Sequence, residues 1–533
     1  MSKNFTQSIK SIYLKSFGLE SKELILLLKK QIPQAITKNL VIDLHDSLLF
    51  VQNHPKDINI KDWAAGELIR LTQWCKRNKS TLLEKHYNTG LPYTNVYSYF
   101  SWTMYEWLHQ KGYKCKISDY NGTDNSFHEF LKLSLLPHQM EVLQLEYTND
   151  ELLDYFGVDE KNIDAFILYH FSKLSSNSLI ANELFEKQNF TIELELQSDR
   201  ESICWNRHVI DQEFYHSDWL KKLDVQSLLA KEVKMVTVDE NQRKNLEAVI
   251  KMSLVVLQRE TEPVTYMEPG SLRVINLERG IQIVLFTMKQ DNQLPYESYV
   301  GYTLFKNGYP AAYGGAWVSG LHALIGLNIF EWCRGGESAL FFVSLLRVYH
   351  QIFDIRSFEV EPYQYGKDNP EGIESGAFWF YYRLGFKPVS NFLAKIAKAE
   401  FDKMTKDKKY KTKLSTLKKF TESNIILQLD QTKVMRISQV TDKVLQYTRK
   451  VNCTKSSNYM LAEKFALQHI LKHLNYIEPL TEQQIKLYTE LGLLALAFNI
   501  DLKLHKELMT HLLESRLSDV YAYQQNWRKL FCN

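Results

Sequence analysis

Apolar residues recur at helical spacing through the first part of the chain. Glu20 to Ile32 places Leu24, Leu27 and Leu28 on one face, and Asp62 to Trp74 repeats the pattern with Trp63, Leu68, Leu71 and Trp74. Tyr99 to Leu108 is a third such stretch, carrying Trp102, Tyr105 and Trp107. Rings at this spacing pack into a core more often than they line a ligand pocket, so this stripe is read as core. Late in this part Ile192, Leu194 and Leu196 alternate with Glu193, Glu195 and Gln197, the period of a strand with one buried face. Residues 1–224 are therefore expected to be mainly helical, with one strand near their end.

The pattern changes over residues 225–393. Asn241 to Gln258 predicts a helix with Leu246, Val249, Ile250 and Leu254 on one side. Strands are then expected at Leu272–Leu277 and Gly280–Met288, joined at Glu278-Arg279, and at Tyr299–Phe305 and Ala311–Val318. The second pair flanks Asn307-Gly308, a strong hairpin signal because both residues tolerate positive φ. Ala323–Cys333 is a further expected strand. It is followed by a helix over Ser338–Phe353, a strand over Ser357–Pro362 and a helix over Pro370–Leu384. Antiparallel strands running into a β-α-β-α series predict an α+β mixed sheet with helices packed on it.

Residues 394–533 return to helical spacing. They open on a lysine-rich stretch from Lys403 to Lys419, and Thr481 and Gln484 stand at capping-box spacing ahead of a later helix. No repeat of fixed period is present. The length of 533 residues agrees with about three domains.

Composition narrows the function classes. Lys+Arg totals 65 and Asp+Glu 62, a net charge of +3, which gives no general case for nucleic-acid binding. The six cysteines, Cys75, Cys115, Cys204, Cys333, Cys453 and Cys532, form no CxxC pair; this argues against a zinc ribbon and fits a reducing, cytoplasmic compartment. Met1 to Phe5 lead into no long apolar stretch, so no signal peptide is expected. The longest apolar run, Leu491 to Ile500, is too short to cross a membrane. Triplets such as Asn121-Gly122-Thr123 are then chance matches to a glycosylation pattern. HExxH, the P-loop and the GxSxG elbow are all absent. His469 and His473 stand one helical turn apart, but no third metal ligand accompanies them, so a solvated helix face is expected.

The stretch that carries chemistry is Asn328 to Ala339, where an expected strand meets Arg334-Gly335-Gly336-Glu337-Ser338-Ala339 and then a helix. Glycines let backbone approach a ligand, the N–H groups of a first helical turn point outward, and the helix dipole favours negative charge there. Arg334 adds a cation, so a pyrophosphate suits the site. Further on, Asn369-Pro370 opens a helix that contains Ala377 and ends Phe380-Tyr381-Tyr382-Arg383-Leu384-Gly385-Phe386. Gly385 is expected to cap that helix in a left-handed conformation.

These two stretches resemble the GNAT superfamily of N-acyltransferases. Its members read Arg/Gln-x-x-Gly-x-Gly/Ala after the fourth strand, and many show an Asn, an Ala and Phe-Tyr-x-x-Leu-Gly-Phe in the fourth helix. The resemblance covers about ninety residues, Tyr299 to Pro388. It implies a central GNAT-like sheet and says nothing of the flanks, which helical spacing alone predicts to be mainly α-helical. It implies acetyl-CoA or another acyl-CoA as co-substrate and an amine as acceptor. The binding stretch would comprise Phe330, Trp332, Cys333, Arg334, Gly335, Gly336, Glu337, Ser338 and Ala339, with Asn369 opening the later helix. Backbone at Trp332 and Cys333 would pair with the pantetheine arm as an added strand. Cys333 itself is read as a core thiol, since nothing nearby in sequence marks it as activated. Tyr381 would be the general acid for the departing thiolate. An acceptor amine must also lose a proton; Glu331 is the first candidate base, with His322 and Glu359 as alternatives.

The chain departs from the pattern at Glu337, where the family has an inner glycine. A carboxylate there repels pyrophosphate unless it turns outward or pairs with a cation such as Arg334. That departure motivates an alternative, a non-catalytic binding module on the same scaffold, in which glycine at 337 would strengthen CoA affinity. A third alternative takes an aminoacyl-tRNA as donor, held by Lys406 to Lys413; salt-dependent RNA binding lost on neutralising those lysines would mark it.

Overall fold

Alternation becomes strand and periodicity becomes helix at most of the expected places in a computed structural model of the chain. The structure describes residues 3–530 apart from 33–35, 38–39, 145–146, 175–177, 211, 221–222, 456–460 and 475–478. Met1, Ser2 and Cys532 thus lie outside the described residues.

The chain divides into two compact units. The first comprises Met1–Ser217, Glu240–Tyr266 and Lys306–Pro310; the second comprises Asp218–Asp239, Met267–Phe305 and Ala311–Asn533. The boundaries drawn from sequence near 224 and 393 do not coincide with this division. The later helices belong to the same unit as the large sheet.

The first unit is helical, with α1 (Ile58–Arg77) and α2 (Trp102–Gln110) among its helices, and adds a small antiparallel sheet. Its strands are β1 (Asn95–Ser98), β2 (Cys115–Tyr120) and β3 (Phe190–Glu195), in the order β1-β3-β2. The alternating segment read from sequence is β3. Ile192 and Leu194 are buried, while Glu193 and Glu195 pair with Lys116 and Lys114 at 3.3 and 2.7 Å. The aromatic stripe of α2 is core: Trp102 stacks on Phe171 and Tyr105 on Phe185, with ring centroids 5.2 and 5.6 Å apart. The expected helix after residue 240 is α3 (Glu240–Val255), and it buries Leu246, Val249, Ile250 and Leu254.

The second unit carries a nine-stranded mixed sheet ordered β11-β12-β10-β9-β8-β7-β6-β5-β4. These are β4 (Met235–Thr237), β5 (Arg273–Asn276), β6 (Ile281–Thr287), β7 (Ser298–Lys306), β8 (Tyr309–Ser319), β9 (His322–Ile329), β10 (Ser357–Val360), β11 (Lys387–Pro388) and β12 (Ile425–Gln428). The β7–β8 hairpin turns on Asn307 and Gly308 at φ 48° and 81°, as Asn-Gly predicts. Between β5 and β6 the positive φ falls one residue later than expected, on Arg279 and Gly280. β9 and β10 pair in parallel, and α4 (Ser338–Phe353) connects them with the bounds read from its period. β12 had no counterpart in the sequence reading. Its four residues, Ile-Ile-Leu-Gln, do not alternate, and it inserts antiparallel to both β10 and β11.

Two expected elements end early. β9 stops at Ile329, and Glu331–Cys333 is a 3-10 turn instead of strand. The turn brings the rings of Phe330 and Trp332 into a stack at 4.7 Å and buries both together with Cys333, which a strand would send to the face opposite theirs. The expected helix over Pro370–Leu384 is two pieces, α5 (Pro370–Glu374) and α6 (Ala377–Arg383), because Gly376 takes a left-handed φ of 66° between them.

Beyond β11 come α7 (Asn391–Lys406), α8 (Leu414–Phe420) and, later, α9 (Glu482–Phe498), α10 (Lys506–Ser518) and α11 (Val520–Trp527). The last three share a core that includes Leu491, Leu494, Met509, Leu512 and Trp527, together with Tyr296 from the segment before β7. Thr481 and Gln484 form the expected capping box at the start of α9. Among the described residues no helix is long and apolar enough to cross a membrane. His473 Nδ1 lies 2.8 Å from the carbonyl oxygen of His469, within their own helix, and no metal-ligand group forms among the described residues.

Candidate active site at the end of strand β9

The parallel register of β9 and β10 covers three residues, from His322 with Ser357 to Leu324 with Glu359. β10 ends one residue later, while β9 continues to Ile329 and stays paired with β8 along its whole length. From Ile325 onward, then, the β10 side of β9 has no neighbouring strand. Alternate residues of a strand send their N–H and C=O to the same side. On that open side Leu327 N donates to Gln364 Oε1 at 3.2 Å, and the carbonyl of Ile329 accepts from Arg334 Nε at 3.2 Å. Side chains thus occupy backbone positions that a strand holds elsewhere in the sheet.

A cleft of about 380 Å³ opens here. Its walls include Leu327 and Ile329 from β9, Arg334 and Ser338 from the start of α4, Gln364, and Asn369, Glu371, Phe380 and Tyr381 from α5 and α6 with their flanks. Asn369 caps α5 by accepting from Gly372 N at 3.2 Å. α6 ends as Gly385 predicts. Gly385 has φ 106°, its N–H donates to the carbonyl of Tyr382 and that of Phe386 to Tyr381, and the Phe386 ring closes on Tyr381 at 5.9 Å. This closure holds Tyr381 against the sheet, where its hydroxyl lies 3.3 Å from Gln364 Oε1. Burial pushes the Tyr381 phenol well above the ordinary tyrosine range, so it stays protonated.

The charges around the cleft differ from the sequence expectation. Glu337 does not face Arg334. Its side chain is 1% exposed and pairs with Arg279 Nε at 2.7 Å, and Arg279 Nη1 also reaches Asp218 at 3.0 Å. The carboxylate is therefore turned out of the cradle and neutralised by a residue of the β5–β6 turn. Arg334 instead pairs with Glu371, which lines the cleft, and lies 3.7 Å from Glu331. The N–H groups at the start of the 16-residue α4 have no intrahelical partner, as in any helix, and Ser338 presents this end to the cleft.

Of the residues singled out by sequence, Arg334, Ser338, Asn369 and Tyr381 come together in one cleft. Gly335, at φ 75°, makes the turn into α4; Gly336 and Ala339 are half-buried beside it and do not line the cleft. Phe330, Trp332 and Cys333 are buried in the 3-10 turn, whose own hydrogen bonds run from Cys333 N to Phe330 O and from Arg334 N to Glu331 O. The backbone edge open to an extended ligand is that of β9 at Leu327 and Ile329, not that of Trp332 and Cys333. Glu331 is exposed on the turn and outside the lining. Gln364 gave no signal in sequence beyond its place after a strand, where sheets of this class bind ligands.

His322 and Glu359 form a separate buried pair near the start of β9, 3.0 Å apart. Glu359 also accepts from Asn424 at 2.7 Å and pairs with Arg436 at 3.2 Å. Burial opposes its charge, but His322, Asn424 and Arg436 outweigh burial and hold its carboxyl below the ordinary glutamate range. This carboxyl, held low by three partners and outside the cleft lining, stabilises the fold as an anion. Its stabilisation is present above the unfolded glutamate value and is lost as pH falls through the lower folded one. Glu359→Gln is expected to cost about 3 kcal/mol at pH 7 and to flatten the loss of stability below about pH 4.5. Chemical denaturation at pH 7 and pH 3.5 checks both; an equal difference at the two values would sink the assignment.

Comparison with protein-family models, with curated proteins and with solved structures finds no match to this chain.

Proposed function

We propose that the second unit is a GNAT-type N-acyltransferase that takes an acyl group from acyl-CoA and passes it to an amine. One observation carries this: the open backbone edge of β9, the start of α4, Arg334 and the buried phenol of Tyr381 converge on a single cleft. The placement of Glu337 in an ion pair with Arg279 supports it further, because the carboxylate is then no obstacle to a pyrophosphate. Antiparallel strands leading into β9–α4–β10 and then α5–α6 agree with the resemblance read from the sequence.

On this proposal the pantetheine arm lies along β9, where its amides take the positions now held by Gln364 and Arg334. The diphosphate meets Arg334 and the first turn of α4. Tyr381 donates to the leaving thiolate. A thiol has a pKa near ~8.5, below that of the buried phenol, so full proton transfer is uphill and Tyr381 acts chiefly as a hydrogen-bond donor. The acceptor's proton leaves through water, since neither His322 nor Glu359 lines the cleft.

Calorimetric titration of the full chain with acetyl-CoA and longer acyl-CoAs tests the binding, and release of free thiol in the presence of an amine panel tests the reaction. Absence of binding to every acyl-CoA would overturn the proposal. Glu371 competes with phosphate for Arg334, and an exposed ion pair is worth up to about 1 kcal/mol. Glu371→Gln is therefore expected to tighten acyl-CoA binding by roughly fivefold; weaker binding would show that Arg334 does not hold the phosphates.

One observation favours a second reading, a ligand- or protein-binding module on the same scaffold. Arg334 is already paired, and Glu371 is the one carboxylate among the described lining residues. Tight binding of a CoA species with no thiol release to any amine would select it.

A further inference from the structure

The second unit holds another cavity, of about 300 Å³, which shares no lining residue with the β9 cleft. Arg273 on β5, Thr287 on β6, Gln290, and Arg516, Asp519 and Tyr521 from the α10–α11 corner face it. Arg516 is only 5% exposed. Its Nη2 donates to the carbonyls of Gln293 and Leu294 at 2.9 and 3.1 Å, and its guanidinium lies 5.4 Å from the Tyr523 ring. Among the described residues Nη1 is buried without a partner. Gln290 Nε2, on a residue of the same cavity wall, is likewise buried without a partner among the described residues. Arg273 adds a second guanidinium, held over the Tyr521 ring at 5.4 Å, with Nη1 donating to the carbonyls of Gly270 and Leu272 at 3.1 Å.

Two carboxylates also line the cavity, and both are engaged locally. Glu268 accepts from Gly270 N at 3.1 Å, and Asp519 caps α11 by accepting from Tyr521 N and Ala522 N at 2.9 and 3.3 Å. Among the described residues neither is ion-paired with Arg273 or Arg516. Burial lowers the Arg516 pKa, and Glu490 and Asp291 act on it through their fields without touching it. The buried side-chain atoms of the lining left without a hydrogen bond among the described residues are thus both donors, a guanidinium nitrogen and an amide nitrogen, beside a second guanidinium. Buried donors in native proteins are almost always satisfied, and a buried charge calls for a countercharge. A water molecule would answer the hydrogen bonds but not the charge.

We propose that this cavity binds a small oxyanion, a carboxylate or a phosphate group, between Arg516, Gln290 and Arg273. Its size suits a small metabolite. Because Arg273 belongs to the sheet and Arg516 to α10, the ligand ties the C-terminal helices to β5 and β6.

The full chain is titrated calorimetrically, and melted, with inorganic phosphate and with citrate, each against sodium chloride at matched ionic strength. Saturable binding is expected, with a rise in Tm of about 5 °C at about 100-fold the Kd. The tighter of the two ligands identifies the head group as phosphoryl or carboxylate. Gln290→Glu places a carboxylate in the cavity wall; it is expected to raise the Tm of the ligand-free protein and to weaken oxyanion binding at least about tenfold. Arg273→Gln, at a partly exposed position, is expected to weaken binding about tenfold and keep the fold. No effect of either oxyanion beyond the chloride control, or unchanged binding in both variants, would overturn the proposal.

Discussion

Glycine in place of Glu337 is expected to lower the thermal midpoint by about 10 °C and to leave acyl-CoA binding no tighter. The motif alone predicts the opposite, since glycine there restores the pattern of a phosphate loop. The tertiary structure reverses the sign. The Glu337 carboxylate is 1% exposed and sits 2.7 Å from Arg279 Nε, on a side chain that is itself 14% exposed. Removing one partner of a buried pair costs about 3–5 kcal/mol, because the other charge stays behind without its countercharge. Asp218, 60% exposed and 3.0 Å from Arg279 Nη1, keeps part of the compensation, so the low end of that range applies. At 2–4 °C per kcal/mol for a unit of this size, about 3 kcal/mol is about 10 °C. Thermal melts of Glu337→Gly, Arg279→Met and the double variant form a cycle. Additive losses would show that the two side chains do not support each other.

Phenylalanine at Tyr381 is expected to lower kcat for acyl transfer about 100-fold with little change in KM for acyl-CoA. The ring stays in place: it lies 5.3 Å from Phe342 and 5.9 Å from Phe386, and the Schellman closure at Gly385 fixes the backbone. What is lost is a single hydroxyl, 3.3 Å from Gln364 Oε1, which keeps its bond from Leu327 N. Stability is therefore expected to change little, and the effect should appear in the step that develops charge on sulfur. Burial holds the phenol above its ordinary range, so no limb of the pH–rate profile below about pH 10 belongs to it. A thioester of a more acidic thiol needs less help at the leaving group and should narrow the defect. Equal rates for wild type and Tyr381→Phe would remove Tyr381 from the chemistry while leaving the binding proposal intact.

Local signals were read correctly where a few consecutive residues suffice. Asn307-Gly308 specifies a turn because both positions tolerate positive φ, and Gly385 ends α6 for the same reason. The 16 residues of α4 declare themselves by period, and Thr481 with Gln484 by capping geometry. β12 carries no legible signal because Ile425-Ile426-Leu427-Gln428 does not alternate and no turn motif flags it, whereas β5 and β10, equally short, are marked by an adjoining turn and helix. At Trp332 and Cys333 the sequence is ambiguous, because apolar runs look alike whether they extend or turn; the hydrogen bonds from Cys333 N to Phe330 O and from Arg334 N to Glu331 O make the turn.

What the amino-acid order determined by itself is thus the set of turns, caps and long periodic elements; that Arg334, Ser338, Asn369 and Tyr381 share one cleft, without the other residues singled out beside them, came from the packing. Only the tertiary structure decided the charges. Glu337 finds Arg279 across 58 residues, Glu359 finds Arg436 and Asn424, and Gln364 covers the backbone of β9. The reason is physical: caps and turns are satisfied within one or two turns of chain, whereas a buried charge is satisfied by whichever countercharge the fold brings to it. Sequence proximity suggested Arg334 as the partner of Glu337; packing supplied Arg279 and turned the carboxylate away from Arg334.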